Sequence, residues 1–335
     1  MNKIEQLQIV LIDTLECLRG MLSVNRALPQ SLRYIIQSGE MQRLWDRDST
    51  INSLDPWQQS LLHTLPVDLR ATGLAAAALS WCGEGGALRP GTWMQIDLVH
   101  FAAGLNDVHF MLPDDVSNED VRSLMNALQP LLSLSGFELH CSAVGHWYLW
   151  CEAVIEVQTR SLRTGMTTNQ YDVLPTGKDS AQLRRLLTEM QMLLHQHPLN
   201  QKRERNGLPM LNAAWLSGAG SPVVAPVGTT QRIMSDQSYV QGLCGQMNVS
   251  CWPIPRDIAE LLGLRDIDMT LVLNGADATR LETEWIKPVL HALQTGRMHK
   301  LSIHLDQMKF TLTGGRVPQL RRWLSPGREI AESLN

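Results

Sequence analysis

The chain has 335 residues, 44% of them apolar and 19% charged, with a net charge of −4. That composition supports a sizeable core and excludes a disordered chain, and the acidic balance argues against general nucleic-acid binding, which needs a basic face. The length predicts two domains or one with a large insertion. The apolar runs near Val10 and Leu74 are far too short to span a bilayer.

In chain order, "QIVLI" at Gln8 to Ile12 predicts a buried strand that ends at Asp13. After a loop, Pro29 opens a helix with Leu32, Ile35 and Ile36 on one face and Gly39 as its stop. Residues 40–92 predict two helices broken near Pro66, ending before the loop "GEGGALRPG". Next come an alternating strand "WMQIDLVHFAA", a second strand "NDVHFMLP" after a turn at Gly104, and a helix whose Ser117 and Asp120 resemble a capping box. Two further strands around Gly145 complete a ββαββ module. Arg163 to Lys178 reads as a loop, and Asp179-Ser180 caps a helix with an apolar stripe that runs from Leu183 through Leu193 and Leu194. The last third predicts a Pro-started helix stopped by Gly263, a strand "MTLVLN" and a helix kinked at Pro288. A strand pair around Gln307 and a short helix "VPQLRRWL" follow.

Six cysteines show neither a CxxC pair nor zinc-finger spacing, and no signal peptide is legible, so reduced cytoplasmic thiols are expected. The ten Trp read as core aromatics or as a Trp-lined groove. His100 and His109, with Asp97 and Asp107 nearby, read as structural histidines or as a site across a hairpin. His195 and His197 are two residues apart and share no helix face. His304 and Asp306 alternate along a strand and point to one face.

The stretch "HPLNQKRERNGLPMLNAAWLSGAG", His197 to Gly220, carries the sharpest pattern. Arg203 and Arg205 are potential forks for a carboxylate or phosphate, or a solvated basic face at a helix end. Asn200 and Asn212 are amides suited to an anion site or to holding turns. Gly218 and Gly220, after a predicted strand, form a phosphate cradle or a structural turn.

Pro198, Asn200, Arg203, Gly207, Pro209, Asn212, Trp215, Gly218 and Gly220 follow the spacing of a motif in the archaeal-type cofactor-independent phosphoglycerate mutases, which this stretch resembles. Weaker echoes in the same order cover most of the chain, from "LPQSLRYIIQSG" to "LPTGKDSAQLRRLLTEMQMLLHQHPLN". The segments Ile96 to His100, Trp147-Tyr148-Leu149 and Glu189 to His195 are more similar still to a bacterial branch described as Rpf-type regulatory proteins. The resemblance implies an α/β fold with an alkaline-phosphatase-like core at residues 1–92 and 176–335 and an inserted α+β module at 93–175.

In the mutases, two divalent metals held by Asp and His ligands and a Ser or Thr nucleophile carry the phosphate. This chain departs from that pattern. Asp13-Thr14 stands where Asp-Gly is expected, and only Asn274 to Asp277 and His304 to Asp306 stand near the late ligand motifs. No nucleophile loop is legible between Glu40 and Leu88. The expectation is a non-catalytic, cytoplasmic relative with a binding or regulatory role and no cofactor. Its partner would be a small anionic ligand, gripped by Arg203, Asn200, Asn212, Gly218 and Gly220, or a protein, with neither nucleic acid nor membrane involved. One alternative is a divergent phosphomonoesterase or mutase with a reduced Mn or Zn site at Asp13, His304 and Asp306. The other is a protein-interaction scaffold.

Overall fold

The computed structural model describes residues 4–24, 27–45, 53–65, 75–103, 108–113, 115–167, 174–222, 231–264 and 268–314. Its elements begin with β1 (Ile4–Ile12), α1 (Thr14–Ser23), α2 (Gln30–Ser38), β2 (Glu40–Arg43), α3 (Pro56–Leu62) and α4 (Ala76–Gly83). They continue with β3 (Thr92–Ala103), β4 (Val108–Met111), α5 (Asn118–Leu134), β5 (Glu138–Cys141), β6 (Trp147–Cys151), α6 (Leu162–Thr167), α7 (Ser180–Gln196), α8 (Pro198–Arg205) and β7 (Ala213–Gly220). The last group is β8 (Arg232–Met234), α9 (Ser238–Met247), β9 (Cys251–Trp252), α10 (Ile258–Gly263), β10 (Asp268–Asn274), α11 (Ala278–Leu281), a π turn (Glu282–Ile286), α12 (Lys287–Gln294), β11 (Met298–Leu305) and β12 (Met308–Thr313).

Seven strands form the larger sheet in the order β2-β12-β11-β1-β10-β8-β9. The five strands from β11 to β9 run parallel, and β12 and β2 close one edge antiparallel. A parallel sheet needs cover on both faces, so its strands read as near-continuous apolar runs. On β1, Leu7, Ile9 and Leu11 face a core shared with α1, α2, α10 and α12, whereas Val10 and Ile12 face α3, α4 and α9. One polar residue interrupts this second face: Gln8 is buried and faces the underside of α3, donating through Nε2 to Thr64 O (3.3 Å).

The smaller sheet is built around the long β3. The pair β7 lies on one edge of β3 and β6 on the other, with β5 beyond β6 and β4 on the far half of β3. Leu124, Met125 and Leu128 of α5 pack with Leu183, Leu186 and Met190 of α7 over this sheet. Helix α7 shares this core, and β7 pairs directly with β3.

The structure corrects several local expectations. The segment after Asp13 is helix α1 rather than loop, and the stretch after Arg160 contains helix α6. Gly218 to Gly220 are the last residues of β7 itself, not a turn after it. On the long helix, the break at Pro288 takes the form of a π turn over Glu282–Ile286, so that Pro288 falls in the first turn of α12, where its missing N–H needs no partner. Leu193 of α7 is largely exposed, so the apolar stripe there is narrower than predicted. Pro66, Gly104, Asp107 and the expected helix at 317–324 lie outside the described residues. Among the described residues no helix is long and apolar enough to cross a membrane.

Candidate functional site

A cavity of about 530 Å³ opens where β1 ends, between the larger sheet and the inner side of β3 and β7. The position follows from topology: in open α/β sheets ligands bind beyond the carboxyl ends of the strands. Its walls come from Ile12 and Asp13, the start of α3, α4, Gln95 and Asp97 of β3, His146, Arg163 of α6, and Ser217 and Gly218 of β7. Gly218 permits the close fit of β7 on α4: it has φ of 63°, and a Cβ there would lie 2.7 Å from Ala77 N.

Asp13 ends β1 in the left-handed region, with φ of 62°, and its carboxylate forms an ion pair with Arg163. The other terminal nitrogen of Arg163 reaches Glu16 Oε2 at 2.9 Å. Asp306, in the turn after β11, feels the same guanidinium; burial nevertheless raises its pKa to about 6. One cation thus serves carboxylates from the ends of β1 and β11 and the first turn of α1.

Two more carboxylates stand across the cleft. Asp55 is the N-cap of α3, where its backbone N–H donates to Gln58 Oε1 at 2.8 Å in a capping box followed by Pro56. Burial raises its pKa, partly offset by hydrogen bonds with Ser161 and Trp57, and its Oδ1 is buried without a hydrogen-bond partner. Asp97 on β3 is half-buried, and Gln95 Nε2, two residues back on the same face, donates to its oxygens at 3.2 and 3.1 Å. Burial pushes Asp97 up to about 6, against the lowering effects of the Gln95 hydrogen bond and the positive charge of His146, with Asp55 adding a lesser repulsion.

His146 completes the rim. Its Nδ1 lies 2.6 Å from Glu84 Oε1, with Glu84 almost wholly buried and His146 half-exposed. The hydrogen bond to Glu84 raises the histidine pKa. Burial pushes Glu84 up, but its bonds to His146 and Ser142 outweigh this and leave it lowered. The pair is therefore held toward imidazolium and carboxylate.

Of the residues singled out from the sequence, Asp13, Asp97 and Gly218 line the cleft, and the others fall elsewhere. Arg203 is 5% exposed; Nε donates to Pro209 O at 2.7 Å and an NH2 group to Asp115 Oδ1 at 2.7 Å. Asn200 is fully buried and clasps backbone on both sides: Nδ2 donates to Leu194 O and Leu211 O at 2.8 and 2.9 Å, and Oδ1 accepts from Leu211 N at 2.8 Å. Asn212 does the same with Phe101, accepting from its N–H at 2.7 Å and donating to its carbonyl at 3.0 Å. Gly220 packs on Ala75. These residues satisfy buried backbone groups, and they do not converge on the cleft.

His304 and Asp306 also part company. His304 is buried under α3 between Ser60 Oγ (3.0 Å) and Gln8 Oε1 (3.3 Å), whereas Asp306 leaves the strand with φ of 49°. Asp277 caps α11 through Thr279 N and Arg280 N, both at 3.0 Å. His109 pairs with Ala102 rather than with His100, whose partner is Met111. Among the described residues no group of three or more His, Cys, Asp or Glu side chains could hold a metal ion. With Asp13 already bound to a guanidinium, the donor set among those residues does not fit a two-metal centre.

Sequence reading missed Asp55, Arg163 and the Glu84–His146 pair. Asp55 before Pro56 was a legible cap signal, but nothing in the order of residues placed Arg163 opposite Asp13.

Sheet order, helices on both faces and a cleft at the strand ends define a mixed α/β protein with a central, mostly parallel sheet. No family model and no curated protein matches the chain. Among solved structures, it is similar to the PH0037 protein from Pyrococcus horikoshii, at 14% identity and a TM-score of 0.52 over 95% of this chain and 89% of that one. It is also similar to the cofactor-independent phosphoglycerate mutase from Thermoplasma acidophilum, at 13% identity and a TM-score of 0.40 over 95% and 92%. At these identities the likeness is one of fold.

Proposed function

We propose that the chain is a binding protein on a phosphatase-like scaffold, with the cleft as its ligand site, rather than a metal-dependent phosphoryl-transfer enzyme. The carrying observation is the ion pair between Arg163 and Asp13 at the end of the central strand. A carboxylate there that already holds a guanidinium has its charge compensated, and a divalent ion would have to displace that partner. The kept architectural motif around Asn200, Arg203 and Asn212 fits this reading, because each residue supports the fold without touching the cleft. So does the resemblance to a regulatory branch.

The test is metal content after dialysis of the purified protein against manganese and zinc, followed by phosphomonoester and phosphoglycerate assays. The expected outcome is substoichiometric metal and no turnover above background. Two metals per chain together with turnover would overturn the proposal.

A further inference from the structure

Two thiols meet in space away from the cleft. Cys244 lies in the last turn of α9, 1% exposed, in the core beneath α3, α4 and α9. Cys251 opens β9, the two-residue strand at one edge of the larger sheet; it is partly exposed and packs against the same core. The turn between them is tightly closed. Val249 N donates to Cys244 O at 2.9 Å, and Asn248 ends α9 in the left-handed region with φ of 57°. The chain therefore doubles back, and a thiol–thiol hydrogen bond joins the two side chains. Cys251 Sγ also lies 3.8 Å from Ser235 O on the neighbouring β8 side of the sheet edge. Burial explains one thiol in a core. It does not ask for a second one in contact with it, at a position open to solvent.

We infer that Cys244 and Cys251 are a redox pair that a small hydroperoxide closes to an intramolecular disulfide. The roles of the two sulfurs differ. The hydrogen bond from the Cys244 thiol lowers the pKa of Cys251, and the same contact, together with burial, raises that of Cys244. The more acidic sulfur is thus also the one within reach of solvent. The Cys251 thiolate attacks one peroxide oxygen; the O–O bond breaks, hydroxide leaves, and Cys251 becomes a sulfenic acid. The negative charge that helped to hold Cys244 in its thiol form is then gone. Cys244 attacks the Cys251 sulfur, the S–O bond breaks, the S–S bond forms, and the thiol proton leaves with the hydroxyl as water. The two sulfurs lose two electrons, and the peroxide takes them. An S–S bond is about 2 Å long, so closure needs side-chain rotation, for which the partly exposed Cys251 has room. The bond ties the end of α9 to the edge strand of the sheet.

The experiment uses the full chain, reduced and then freed of reductant. It is exposed to a small excess of hydrogen peroxide under native conditions and quenched with iodoacetamide in guanidinium chloride. Trypsin leaves both thiols on one peptide, Ile233 to Arg256, so closure appears as that peptide without alkylation and lighter by two hydrogens. The expected result is near-complete closure in the folded wild type, reversed by dithiothreitol. The exposed Cys141 should react roughly tenfold more slowly or less, since it lacks the hydrogen bond that activates Cys251. In Cys244→Ala, Cys251 should stop at the sulfenic acid and be trapped by dimedone. In Cys251→Ser, Cys244 should remain open to alkylation. The peptide map of the wild type needs no variant, so a variant that fails to fold leaves the test standing. Both thiols still alkylated in the wild type, closure only when urea is present during oxidation, or Cys141 oxidised as fast as the pair would each overturn the inference. So would a sulfenic acid on Cys244 in a folded Cys251→Ser variant.

Discussion

The buried polar chain beneath α3 makes a definite prediction about pH. Gln8 Nε2 donates to Thr64 O, so Gln8 Oε1 is left to accept from His304 Nε2, and His304 Nδ1 accepts from the Ser60 hydroxyl. The histidine is thereby neutral with its proton on Nε2. Burial, helped by Lys309 and His63, holds its pKa down to about 3, against roughly 6.5 in the unfolded chain. The unfolded state binds the proton first, so the stability due to a neutral His304 is complete above pH 6.5 and falls as pH drops toward 3. At about 1.4 kcal/mol per pH unit, that is a loss of about 2 kcal/mol at pH 5 and about 3 kcal/mol at pH 4. Asp97 and Asp306, raised to about 6, act in the opposite sense, because the folded state binds their protons first between pH 6 and 4. The wild-type curve alone therefore mixes the two effects. His304→Gln keeps a donor toward Gln8 and removes the titration. In urea denaturation at pH 7 and pH 5, the stability difference between wild type and variant should shrink by about 2 kcal/mol at the lower pH. A difference that is the same at both pH values would refute a buried neutral imidazole at this position.

Three further outcomes follow from named contacts. Gly242→Ala should destabilise by about 3 kcal/mol or more, since a Cβ there overlaps Leu79 O across the α4–α9 contact; thermal melts would show it, and a neutral substitution would contradict the packing. Arg203→Ala should destabilise by about 1–2 kcal/mol, by emptying a buried position and leaving Pro209 O without its donor, while leaving ligand affinity at the cleft unchanged; a specific loss of affinity in a folded variant would restore the anion-site reading. Arg163→Gln should lower the melting temperature, and the loss should be smaller at pH 5 than at pH 7, because Asp306 then carries its proton and has less need of the guanidinium; a loss that grows on acidification would refute the shared-cation geometry.

Much of the fold was legible because it depends on short-range signals. Pro29 and Gly39 around α2 and the Ser117–Asp120 cap of α5 each marked an element within about two residues of its observed bounds, and the apolar run ending at Ile12 marked the end of β1, which starts four residues before Gln8, at Ile4. What could not be read depends on distance in space. Helix α6 is six residues long, and its main consequence is Arg163 beside Asp13, 150 positions earlier in the chain. Gln8 looked like a polar interruption of a strand; only the stacking of α3 on β1 and β11 shows that it links Thr64 to His304. The β7 strand pairs with β3 across more than a hundred residues, so Gly218 could not be placed on α4 from its neighbours in sequence.

In the motif from Pro198 to Gly220, Asn200, Arg203 and Asn212 serve the fold rather than the cleft. Asn200 holds α8 to the approach of β7, Arg203 ties the same turn to Asp115, and Asn212 pairs both backbone groups of Phe101 on β3. Asn200 and Asn212 satisfy backbone groups that are partly or wholly out of water, and replacing either leaves such a group stranded at a cost of about 1–3 kcal/mol. Folding alone is enough to keep them. Residues at a strand end face a different constraint: several carboxylates gathered there need a positive charge, but the source of that charge is open. At Asp13 the guanidinium of Arg163 supplies it from within the chain. Across the same cleft, Asp97 meets the Gln95 amide and the positive charge of His146, so both walls draw compensation from within the chain.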